Sequence, residues 1–76
     1  MREGKTKRGF RVITFFDRYD FLCSLQESSL ATEAAVWLGV DTENDPSNRM
    51  HLTQEQVAAL LPYLKRFVET GYIGEW

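Results

Sequence analysis

Thr53-Gln-Glu-Gln-Val57-Ala-Ala-Leu60-Leu61-Pro-Tyr-Leu64-Lys-Arg-Phe67-Val68-Glu-Thr-Gly71 carries the clearest structural signal in the chain. Val57, Leu60, Leu61, Leu64, Phe67 and Val68 recur at spacings of three and four. At about 100° per residue they fill an arc of roughly 120°, which predicts an α-helix with one apolar stripe. Thr53 is a natural N-cap and Gln56 stands three residues on, so the pair completes a capping box for the exposed backbone N–H groups. Glu55 adds favourable charge in the first turn, and Lys65 and Arg66 lie toward the other end. Gly71 is placed to end the helix in the left-handed conformation, with Tyr72 against Phe67. Pro62 breaks the pattern: it lacks an N–H and crowds the Ala58 carbonyl, at ~3 kcal/mol in an ordinary helix interior. It falls off the stripe, which leaves two readings: one helix bent convex to solvent, or two short helices broken at Leu61.

Upstream, residues 10–16 read Phe-Arg-Val-Ile-Thr-Phe-Phe, an aromatic and β-branched run suited to a pleated surface. Phe10, Val12, Thr14 and Phe16 share one face, and Arg11, Ile13 and Phe15 the other. Residues 21–26 alternate as cleanly, with Phe21, Cys23 and Leu25 opposite Leu22, Ser24 and Gln26. Asp17-Arg-Tyr-Asp20 between them suits a tight connection, so the two runs predict an antiparallel hairpin. Residues 28–33 form a polar connection. Residues 34–40, Ala-Ala-Val-Trp-Leu-Gly-Val, read as a third strand, with two helical turns over 32–38 as the alternative. Residues 41–48 are an acidic loop with Asn44-Asp-Pro-Ser-Asn48 as its turn chemistry, and residues 49–52 add a short fourth strand.

The 76 residues make one small domain, and 43% hydrophobic with 26% charged residues is a globular composition, excluding disordered and collagen-like chains. No apolar run approaches the ~20 residues of a membrane span, and no signal-peptide pattern opens the chain. The lone Cys23 forms no internal disulfide, which fits a reducing compartment. A chain of this size buries only about 60–65% of its unfolded surface, so a second copy or a partner is expected. The net charge of −2 is unevenly spread. Arg2, Lys5, Lys7, Arg8 and Arg11 face only Glu3 in residues 1–11, a balance of +4, and the rest of the chain carries −6. The expectation is a flexible basic arm over residues 1–9 on a single α+β domain over 10–76. The arm is either a solvated terminus or a contact for nucleic acid or an acidic partner.

Chemistry-bearing patterns are sparse. Cys23 lies mid-strand beside Phe21 and Leu25, as a small core hydrophobe does, and His51 alternates with Met50 and Leu52 and points off the core. The 41–52 stretch fails the calcium-loop template, with Glu43 at position 3, Pro46 at position 6 and Leu52 at position 12. There is no phosphate-binding glycine loop and no zinc spacing. The reading is therefore no catalytic residue, no metal site and no cofactor. On the outer side of the helix, Pro62 and two alanines lie flat beside Tyr63 and Arg66, residue types enriched at binding hot spots.

Cys23-Ser-Leu-Gln26, Ser28-Ser29, Trp37-Leu-Gly39, Arg49-Met-His-Leu-Thr53, Glu55-Gln-Val57, Leu60-Leu-Pro62 and Thr70-Gly71 resemble small proteins encoded by bacterial phages and prophages. The likeness runs from about Phe10 to Gly71 and is most specific in Met50-His-Leu-Thr-x-Glu-Gln-Val-x-x-Leu-Leu-Pro62. Between Gly39 and Arg49 this chain is shorter than those relatives. The resemblance implies a non-enzymatic, anti-CRISPR-like accessory protein in the cytoplasm of a bacterial host. It would bind and inhibit or modulate a host protein, such as a component of a defence system. The expected fold is α+β, a three- or four-stranded antiparallel sheet with one C-terminal helix packed on one face. Tyr63, Arg66, Pro62, Arg18, Ser24, Gln26 and His51 are the candidate partner contacts, a homodimer is a further expectation, and no membrane is involved. The alternative is a small nucleic-acid-binding regulator using Arg2, Lys5, Lys7, Arg8 and Arg11.

Overall fold

A computed structural model describes residues 1–41 and 49–74. Five strands, β1 (Arg2–Lys5), β2 (Arg11–Phe16), β3 (Leu22–Glu27), β4 (Ala35–Val40) and β5 (Arg49–Thr53), precede one helix, α1 (Gln54–Thr70). The strands form a single antiparallel meander in chain order. The α+β expectation is met, with five strands rather than three or four. Residues 35–40 are strand, as the β-branched and aromatic content of Val36, Trp37 and Val40 favours. The expected loop lies, apart from Asp41, outside the described residues.

The additional strand corrects the reading of the basic terminus. Arg2–Lys5 is no loose arm: it pairs with β2 in the register Arg2↔Thr14 to Lys5↔Arg11. The turn makes this possible. Gly9, at φ +88°, donates its N–H to the Thr6 carbonyl at 2.9 Å, and the Thr6 N–H donates to the Phe10 carbonyl at 2.8 Å. The next hairpin repeats the design. Asp20, at φ +64°, donates to the Asp17 carbonyl at 3.1 Å, and the Asp17 N–H donates to the Phe21 carbonyl at 3.0 Å. Both are three-residue loops that end on a left-handed residue. The Asp17 carboxylate also accepts the N–H groups of Tyr19 and Phe21, at 2.8 and 3.0 Å.

Register sorts the side chains into two faces. One is apolar, with Ile13, Leu25, Leu38 and Met50 in one row, Phe15, Cys23 and Val40 in a second, and Val36 and Leu52 in a third. The other is mixed, with Val12, Gln26, Trp37 and His51 in one row and Thr14, Ser24, Gly39 and Arg49 in the next.

α1 forms as its sequence dictates. Thr53 and Gln56 make both capping-box bonds, and Gly71, at φ +82°, donates its N–H to the Phe67 carbonyl. The helix runs unbroken through Pro62, so the two-helix alternative does not hold. Its position corrects the packing expectation: no residue of α1 is buried, and Leu60, Leu61, Leu64, Phe67 and Val68 are all exposed. The physical reason lies at its start. Thr53 is both the last residue of β5 and the N-cap, so no connecting residue exists in which the chain could turn back over the sheet. Helices that return onto a sheet ordinarily use connections of about 2–6 residues. Among the described residues only Cys23 and Ser24 are buried.

Candidate interaction surfaces

The mixed face holds the most organised cluster of side chains. Trp37 on β4 and His51 on β5 are directly opposed, and their rings stack at 3.8 Å and 6°. Gly39 leaves a gap beside Trp37, and Arg49, its cross-strand neighbour, crosses β4 there. The Arg49 guanidinium lies 5.6 Å from the Trp37 ring centroid and donates to Gln26 Oε1 at 3.0 Å. Trp37 thus contacts His51 and Arg49 together. His51 Nε2 stands 2.9 Å from Ser28 Oγ, and that hydroxyl also accepts the Leu30 N–H at 3.1 Å. Stacking and hydrogen bonds fix these rotamers in advance, which lowers the entropy lost on binding.

Cys23 lies on the opposite face of the sheet from His51, so the two do not pair. Ser28 and His51 touch, but a hydrolytic pair also needs a group to orient the far ring nitrogen, and no such contact exists among the described residues. No cluster of three or more His, Cys, Asp or Glu able to hold a metal ion occurs among them either.

The structure gathers some of the sequence-nominated residues and scatters others. Gln26 and His51 meet at Trp37, whereas Ser24, nominated as an exposed contact, is fully buried. Its hydroxyl has no hydrogen-bond partner among the described residues: Gly39 across from it has no side chain, and the Arg49 guanidinium donates to Gln26 instead. Arg18 is in the second hairpin turn and exposed. Tyr63 and Pro62 are exposed on α1, while Arg66 is half-buried, with its guanidinium 3.5 Å from the Ile73 carbonyl. The five basic residues are divided. Arg2 belongs to the mixed-face rows, Lys5 and Arg11 to the apolar-face rows, and Lys7 and Arg8 to the turn, with Arg8 5.6 Å from the Phe10 ring centroid. Trp37 and Arg49 went unnominated. Their meeting depends on the β4–β5 register, and only the small residue at Gly39 hints at it in the sequence.

The second surface is apolar. Met50 of its sheet rows and Phe21 beside them are both more than half exposed, and the surface meets α1 at Val57. There an open cleft of about 370 Å³ lies between the first helical turn and the strand ends, lined by Leu30, Glu33, Val36, Leu52 and Val57. In comparison with known proteins, no family model matches the chain, and neither a curated protein nor a solved structure matches it. Among the described residues no helix is long and apolar enough to cross a membrane.

Proposed function

We propose that this chain is a non-catalytic binding protein, a phage or prophage accessory factor that docks on a host protein and inhibits or modulates it. A component of a host defence system is the leading target, and the bacterial cytoplasm the place of action. One observation carries the binding reading. On the mixed face Trp37 stacks on His51 at 3.8 Å with the Arg49 guanidinium 5.6 Å from its ring, a preformed aromatic and cationic patch separate from the apolar face. The sequence resemblance supports the phage origin. The Gln26–Trp37–His51–Arg49 cluster supplies the residue types that dominate protein interfaces, held rigid on an outward face. The division of the basic residues between faces gives the nucleic-acid alternative no single stripe to bind with.

The test is affinity capture from a bacterial host with wild-type chain and with a Gln26→Ala, His51→Ala double variant, both checked for folding by circular dichroism. A host protein held by the wild type and weakened at least about tenfold by the variant is expected. Equal capture by both would remove this patch as the contact. Turnover of any substrate lost in the same variant would replace binding with catalysis.

A further inference from the structure

We propose that a second copy of this chain completes the core, with α1 of each protomer lying on the apolar sheet face of the other. A stable domain needs two packed layers, and this chain contains both halves of one: a sheet face of Ile13, Phe15, Leu25, Leu38 and their neighbours, and the stripe from Val57 to Val68. The two halves do not meet within the chain, because β5 passes into α1 without a connecting residue. Two-fold symmetry repairs this, since each copy offers what the other lacks.

The surface area agrees. A folded monomer of 8.8 kDa exposes about 4,800 Å², and this chain exposes 6,669 Å². The excess, about 1,900 Å², is more than twice the ~800 Å² per partner of a standard interface and falls within the range of obligate homodimers. The radius of gyration, 13.8 Å, likewise exceeds the about 11.4 Å expected of 76 packed residues. The dimensions match as well. Seventeen helical residues span about 25 Å, and five strands at about 4.8 Å spacing present a face about 19 Å between the outer strand axes. In this arrangement the mixed face with Trp37, His51 and Arg49 stays outward, so self-association and the host contact proposed above use different surfaces.

Purified chain, with no host protein present, is examined by sedimentation equilibrium and by cross-linking. The wild type is expected at twice 8.8 kDa. Leu64→Glu is expected to weaken the dimer at least about 30-fold. In a Cys23→Ala background, Val68→Cys chains mixed with Met50→Cys chains are expected to give the mixed cross-link in preference to either like pair with a short bismaleimide. A monomer at micromolar concentration, unchanged association of Leu64→Glu, or cross-links confined to Val68→Cys pairs would overturn the arrangement. None of these results depends on whether a host protein is found.

Discussion

Single residues set the turns and one oddity of the sheet. Asp17 holds the second hairpin through two side-chain bonds to backbone N–H groups, beyond what its carbonyl and amide supply. Asp17→Ala is expected to cost about 1–2 kcal/mol of stability, read from urea unfolding, because both donors lie in a loop with few other partners. Its role was legible in the sequence, since Asp at the first turn position bonds its own backbone two residues on. Ser24 is the reverse case. The alternation correctly put it opposite Cys23, but burial depends on the strands on both sides, with Thr14 and Gly39 as its cross-strand neighbours, which no local pattern reports. A buried hydroxyl without a partner is a cost. Ser24→Ala is therefore expected to leave stability unchanged or to raise it by about 1 kcal/mol. A loss beyond that would mean the hydroxyl is bonded in solution.

The elements were legible to different degrees. β2, β3 and α1 follow from alternation and from the three-and-four spacing, because each carries a strong apolar period and its own turn or cap. β1 escaped because Arg2-Glu-Gly-Lys5 has no apolar period; it exists through the Gly9 turn and the ladder offered by β2. Its charged side chains also suit an exposed sheet edge, where a flat apolar strand would invite further pairing. In α1, Pro62 lies away from the stripe and removes one bond from a helix that has no buried residue. Pro62→Ala is expected to strengthen the helix by about 1–3 kcal/mol, seen as helical signal persisting to higher urea. With the stripe untouched, it should tighten association rather than weaken it, because a firmer helix favours the assembled state. An unchanged urea midpoint would mean that the helix already accommodates the proline without loss.

At the scale of the whole molecule, the stripe on α1 announced that something covers it, and the sheet alternation announced an apolar face. We assign the two to different copies because of how they are connected. The zero-residue junction at Thr53 decides it, and a strand ending and a helix cap falling on one residue cannot be distinguished from a short loop by composition. Mutual completion makes folding and association one event, so thermal stability must depend on concentration. Hundredfold dilution removes about 2.7 kcal/mol from such a dimer, and about 2.1 cal/mol/K per residue over two chains converts this to about 8 °C. The decisive measurement is the unfolding midpoint of the pure chain, followed by circular dichroism across that dilution. A fall of about 8 °C is expected; a midpoint independent of concentration would contradict the claim that this fold is finished only by a second copy.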